Sequence, residues 1–281
     1  MARATCLCGA VEWELDEPFD LASHCHCSRC RKAHGAAFAT YVAGAAAGFH
    51  LRGREHVVRW QSSPDLVRCF CDVCGSVVPG DAHDGRMFVP AGNFDGAPGV
   101  SPLAHIFVAS KAPWVEIRDG LPQFDGYPPG FDGPVVADRA PVDAAGVVRG
   151  SCLCGAIAYV LDAPPSRAHN CYCSRCRKAR SAAFASNLFA SADGVRFTRG
   201  ADQRVGYTLP GAQRFGQVFC RSCGSPLPGI DRARDVAVVP MGSLDDDPGI
   251  RPSAHIFVAS KAAWVEISDD LPQFLASRPT S

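Results

Sequence analysis

The chain lacks any surplus of charge. Lys+Arg and Asp+Glu each number 28, so the formal net charge is zero. That removes the global attraction expected of a protein that binds nucleic acid or an anionic membrane. No run approaches the roughly 18–20 consecutive apolar residues that a membrane helix needs, and no apolar stretch follows Met1 to act as a signal peptide. The expectation is a soluble, cytoplasmic protein without nucleic-acid or membrane partners; the sequence leaves its oligomeric state open. Helical periodicity is also scarce. Only Ser28 to Ala37 and the matching stretch from Ser174 fit a short helix.

Cysteine is abundant: 15 residues. In a reducing compartment, clustered thiols favour metal over disulfides. The cysteines fall into a repeated pattern. Cys6-Leu7-Cys8-Gly9-Ala10 recurs as Cys152-Leu153-Cys154-Gly155-Ala156. Cys25-His26-Cys27-Ser28-Arg29-Cys30-Arg31-Lys32 recurs as Cys171-Tyr172-Cys173-Ser174-Arg175-Cys176-Arg177-Lys178, and the pair Cys71/Cys74 as Cys220/Cys223. The late segment from Ala104 to Ala112 returns unchanged as Ala254 to Ala262. A period this long marks duplicated domains rather than a solenoid. We divide the chain into a first domain at 1–126, a Pro/Gly/Ala-rich linker at 127–147 and a second domain at 148–281.

Within each copy the rhythm is that of strands. Val11, Trp13 and Leu15 alternate with acidic residues, and Ile157, Tyr159 and Leu161 repeat the pattern. Leu66 to Phe70, Phe215 to Phe219, Met87 to Pro90, Val236 to Val239, Ile106 to Val108 and Trp114 to Ile117 also read as strands. The fold class expected is mainly β, as two tandem small domains.

Seven matched cysteines per copy make one full set of four thiolates plus three. The natural division joins Cys6 and Cys8 with Cys71 and Cys74, and Cys152 and Cys154 with Cys220 and Cys223, as closed structural sites. Spacing alone also permits other divisions, and four thiolates suit iron as well as zinc. Cys25, Cys27 and Cys30 remain, as do Cys171, Cys173 and Cys176. Three protein ligands leave a fourth position for a reactant, as in a catalytic metal site. Three thiolates leave zinc net negative, a poor hydroxide generator better suited to a soft fourth ligand such as an exogenous thiolate. The basic run behind each cluster could offset that charge or face solvent, and Lys32 and Arg31 are candidate electrostatic partners. Cys69, replaced by Val218 in the second copy, reads as a small buried hydrophobe. His105, His255, Trp114 and Trp264 read as core residues.

The framework Cys-x-Cys-Gly, Cys-His-Cys-x-x-Cys-Arg-Lys, Cys-x-x-Cys-Gly and the tail His-Ile-Phe-Val-Ala-Ser-Lys-Ala-x-Trp-Val-Glu-Ile resembles the glutathione-dependent formaldehyde-activating enzyme family, also called the CENP-V/GFA domain family. The resemblance spans both copies and omits the linker. It implies a zinc-bound fold of the Mss4-like or β-tent type, with two zinc ions per domain, structural on the outer four cysteines and reactive on the central three. It further implies a carbon–sulfur lyase-type enzyme joining a small-molecule thiol, glutathione, to an aldehyde, formaldehyde, with Cys25, Cys27, Cys30 and Lys32 at the catalytic site. Two rival readings stand beside it. One is a non-catalytic zinc-stabilised binding or scaffold protein. The other is a thiol-redox protein using Cys27-x-x-Cys30, which lacks a thioredoxin-like βαβ context.

Overall fold

The computed structural model describes residues 1–131, 133, 135 and 147–278; most of the expected linker, including 136–146, lies outside the described residues. Each copy is built from several small sheets. In the first, Ala2–Thr5, Glu12–Leu15 and Phe49–Arg52 form an antiparallel sheet. Trp13 and Leu15 are buried and the intervening Glu14 is not, so the alternation read from the sequence is the inward and outward faces of this sheet. A second sheet orders Gln123–Phe124, His105–Ile106, Leu21–Cys25, Ala39–Ala45 and Arg86–Pro90, with His105–Ile106 parallel to Leu21–Cys25. A third joins Val57–Ser63, Leu66–Cys71 and Val77–Val78. The second copy repeats all three, and Gly229–Asp231 lengthens its middle sheet to six strands. Among the described residues no helix is long and apolar enough to cross a membrane.

Three expectations are corrected. Helix α1 covers Ser28–His34 and stops before Ala37, because Gly35 turns into the left-handed region at φ 60 and donates to the Arg31 carbonyl. Its counterpart α2 covers Ser174–Arg180, with Ser181 carrying the left-handed turn at φ 49. The strand expected over Ile106 to Val108 ends at Ile106, since Phe107 is also left-handed and Val108–Ser110 forms a 3₁₀ turn. Trp114 to Ile117 is not a strand at all. Its apolar residues serve packing instead: Trp114 and Val115 are buried in the cluster that holds Leu153, Ile157 and Tyr159 of the second copy. Trp264 returns the contact against the core of the first.

That reciprocity extends across the whole interface. Phe38 meets Phe184 edge-on at 5.5 Å between ring centres, and Phe70 meets Phe219 at 6.3 Å. Lys32 pairs with Asp245 at 2.7 Å, and Lys178 with Asp95 at 2.6 Å. Each contact joins a residue to the equivalent of its partner, the signature of a two-fold, isologous interface. Gly92 and Gly242 lie at the tightest approaches. A Cβ on Gly92 would sit 2.1 Å from the Ala182 nitrogen, and one on Gly242 would sit 2.4 Å from the Ala36 nitrogen.

Gly92→Ala and Gly242→Ala are therefore each expected to destabilise the chain by about 1–3 kcal/mol through overpacking against backbone. Gly96→Ala, with nothing within 4 Å of the added carbon, should stay within about 0.5 kcal/mol. Chemical denaturation of the three variants checks this.

Candidate metal centres and active site

The first cysteine set is assembled by two tight turns. Cys6 and Cys8 flank the turn after Ala2–Thr5, where Gly9 takes φ 80. Cys71 ends its strand, and the Gly75 N–H donates to the Cys71 carbonyl at 2.9 Å, folding Cys74 back beside it. The four sulfurs converge, with Cys6 and Cys8 3.5 Å apart and Cys8 and Cys71 3.7 Å apart. The second copy gives 3.4 Å for Cys152 to Cys154 and 3.8 Å for Cys154 to Cys220. Four sulfurs about 2.3 Å from a tetrahedral zinc stand about 3.8 Å from one another, so both sets fit such an ion. Backbone N–H groups of Val11 and Ile157 also point at the Cys6 and Cys152 sulfurs, at 3.3 and 3.2 Å. Crowding splits the thiols: hydrogen bonds from Cys6, Cys71 and Cys8 pull Cys74 far below its ordinary value, and those same neighbourly contacts push Cys71 far above.

The central cysteines also come together, in both copies. Cys25 ends Leu21–Cys25, Cys27 caps α1 by accepting from the Cys30 N–H at 3.3 Å, and Cys30 lies in the first turn. Cys173 caps α2 in the same way, at 3.4 Å from the Cys176 nitrogen. Cys25 and Cys30 are buried and Cys27 is half-buried. The Cys30 thiol is held well below its usual range by hydrogen bonds from Cys25 and Cys27, helped by the charge of Arg68. In the second copy the low thiol is instead Cys173, drawn down to about 3 by Cys171 and Cys176.

The basic run does not serve the cluster as expected. Lys32 lies two positions past Cys30, on the other side of a helix that turns roughly 100° per residue. Its buried ammonium donates to the Ser151 carbonyl at 2.9 Å and the Ser243 carbonyl at 3.2 Å, and pairs with Asp245. Lys32 is thus an interface residue. Arg31 donates to the carbonyls of His26 and Ser110, and Arg177 to those of Gly92 and Phe94.

Five side chains outside the sulfur sets line the first cluster. Arg68, on Leu66–Cys71, places Nη2 3.6 Å from the Cys30 sulfur. Tyr41 donates its hydroxyl to His34 Nε2 at 2.9 Å, and His34 Nδ1 donates across the interface to the Arg180 carbonyl at 2.8 Å. Burial lowers the His34 pKa to about 4, so the ring is neutral. Phe107 packs on Cys25 and Cys30, and Tyr127 stacks edge-on to Phe107 at 4.8 Å. Tyr127 feels the charge of all three cysteines, which adds to burial in raising its pKa to about 12. Residues 127–131 therefore pack on the first domain. A comparison of the copies carries a signal for three of these groups: Arg68, Tyr41 and His34 become Gln217, Asn187 and Arg180 at matching positions.

His105 is a buried core histidine, as expected, but it also belongs to a hydrogen-bonded chain. His26 Nε2 meets His105 Nδ1 at 2.8 Å, and His105 Nε2 meets Asp119 at 2.8 Å. In the second copy Tyr172 donates to His255 Nδ1, and His255 Nε2 meets Asp269. His24, His105 and Asp119 lie within 4.8 Å of one another, but the second copy has Asn170 in place of His24, tied to Ser186.

The fold and the sulfur sets define a duplicated, mainly β protein with four metal-type cysteine clusters. The chain belongs to the glutathione-dependent formaldehyde-activating enzyme family, whose signature matches residues 1–110 and 147–260. It is similar to the crystal structure of a Rhodobacter sphaeroides protein, at 26% identity and a TM-score of 0.30, over 37% of this chain and 97% of that one. No curated protein matches it.

Cys69 separates ligation from packing. It is buried, outside every sulfur set, and pushed up to about 11 by burial. Cys69→Val should cost less than about 1.5 kcal/mol, because Val218 fills that register in the second copy. Cys71→Ser, two residues on, is expected to abolish cooperative unfolding of the first copy in a thermal melt.

Proposed function

We propose that the chain is a zinc-dependent carbon–sulfur lyase-type enzyme that adds a glutathione-like thiol to a small aldehyde such as formaldehyde. The reading rests on one observation: three cysteine sulfurs converge with no fourth Cys, His, Asp or Glu ligand grouped with them among the described residues, in a chain of this family. In it, Cys6, Cys8, Cys71 and Cys74, with Cys152, Cys154, Cys220 and Cys223, hold structural zinc in a domain of the Mss4-like or β-tent type. Cys25, Cys27 and Cys30 hold a second zinc, and Cys171, Cys173 and Cys176 its counterpart.

When bound, that zinc supplies a soft cationic site that favours a thiol as its thiolate. The chain's own residues do the rest. The addition breaks one S–H bond and forms one C–S bond from the sulfur lone pair. The carbonyl π pair moves to oxygen, which takes up a proton; nothing is oxidised or reduced. Holding the two reactants together is the main source of rate, since effective molarities for well-oriented pairs are large. Phe107 and Tyr127 form an aromatic wall beside the first cluster.

Metal analysis of protein purified without added metal is expected to give about four zinc per chain, about half of them lost to a mild chelator. Thiol–formaldehyde condensation should then run above the metal-free background, and Cys27→Ser should remove that excess while the melting temperature holds. A rate no higher than the metal-free control sinks the proposal.

A further inference from the structure

The two copies share their sulfurs but not what surrounds them. In the first, a guanidinium reaches the cluster from the sheet: Arg68 Nη2 points at Cys30, and its buried Nε–H has no partner among the described residues. A buried donor left unpaired is costly, and the cost is removed when an acceptor is seated there; the Arg180 Nε–H of the second copy is also unpaired among the described residues, but that guanidinium is tied to Gln217. In the second, the same position is Gln217, and both ends of its side chain are taken. Its Oε1 accepts from Arg180 at 3.1 Å and its Nε2 donates to the Cys74 carbonyl at 3.0 Å. The aromatic wall differs as well. The Phe107 N–H donates to the Gly126 carbonyl and the Phe257 N–H to the Ala276 carbonyl, so the two tails are in register. The residue after Gly126 is Tyr127, and the residue after Ala276 is Ser277. Tyr127 stacks between Phe107 and Phe131, each 4.8 Å away.

We propose that only the first copy binds the anionic thiol reactant, with Arg68 as the residue that holds it against Cys25, Cys27 and Cys30 under the Tyr127 ring. The second copy keeps its sulfurs and serves as the folded half that completes the interface. Arg68 is suited to this task because a guanidinium stays charged when buried and offers two N–H groups on one edge. The negative charge of three thiolates and a fourth would be offset by Arg68, whose Nη2 lies 3.6 Å from the Cys30 sulfur.

This inference rests on the thiol reading above, and its test uses binding rather than turnover. The full chain, with the metal it carries on purification, is titrated with glutathione alone by calorimetry. The expected result is one glutathione per chain. Arg68→Gln, which installs the residue of the second copy, should weaken binding at least tenfold with zinc content and melting temperature unchanged, and Arg68→Lys should recover part of the loss. In wild-type protein, glutathione should protect Cys27 from iodoacetamide while Cys173 reacts as before, read by mass spectrometry. This arm stands even if Arg68→Gln fails to fold. Two equivalent sites per chain, no binding at millimolar glutathione, equal protection of Cys27 and Cys173, or a folded Arg68→Gln variant that binds within twofold of wild type each overturns the proposal. A chain that binds one glutathione in this way yet gives no condensation rate removes the reaction and leaves the assignment. A chain with condensation above background and two equivalent sites does the reverse.

Discussion

The convergence of four sulfurs is the constraint on which the rest of the structure depends. Each domain is a stack of short strands, and no single sheet has enough width to close a core. The turn at Cys6 and Cys8 and the turn at Cys71 and Cys74 lie far apart in sequence, yet their thiols come close enough together to hold one ion. Closing so long a loop removes much of the unfolded chain's freedom, and binding free energy at such a site becomes folding free energy. The same turn carries the interface. Gly75 takes φ 73, and a Cβ there would lie 2.5 Å from the Phe219 ring; Gly224 stands in the same relation to Phe70. The glycine behind each Cys-x-x-Cys is thus required twice, for the turn and for the neighbouring copy.

This coupling explains why the duplication is more than two beads on a string. The helices that carry the three-cysteine clusters end at the pseudo-two-fold. α1 sends Lys32 into the second copy and α2 sends Lys178 and Arg177 into the first. An ammonium at 5% exposure would be costly alone, but Lys32 has two carbonyls, a hydroxyl and a carboxylate around it. Removing one partner would leave a buried charge uncompensated. Lys32 from the first run, and Arg177 and Lys178 from the second, therefore fasten one copy to the other.

Much of this was legible in the residues. The repeat, the division of seven cysteines into four and three, the strand phase of Trp13 and Leu15, and the apolar nature of Cys69 all follow from local pattern or from one copy checked against the other. What failed depended on direction in space. Lys32 neighbours Cys30 in sequence but leaves the helix on another side. Trp114 to Ile117 has a strand's composition because it packs across an interface that no single copy reveals. Arg68 and Tyr127 reach the cluster from a distant strand and from a segment that composition assigns to the linker.

The difference between the clusters has an electrostatic reason. Three thiols in contact cannot all ionise without a nearby positive charge, so each copy keeps a guanidinium close by. The first takes it from the sheet, as Arg68, and fills the end of its helix with His34, which burial keeps neutral. The second takes it from the end of α2, as Arg180, and fills the sheet position with Gln217. Charge near the sulfurs is preserved by the exchange, but its availability is not. Arg180 spends one N–H on Gln217, which in turn holds the Cys74 carbonyl of the first copy's closed site. That guanidinium is built into the joint between the domains. Arg68 instead aims Nη2 at the Cys30 sulfur; each guanidinium keeps a buried Nε–H with no partner among the described residues, but only that of Arg68 belongs to a group not tied to Gln217. Both copies thus contribute cross-links to the joint, Lys32 from the first and Lys178 from the second, while the guanidinium beside the sulfurs is tied to Gln217 in the second copy and aimed at Cys30 in the first.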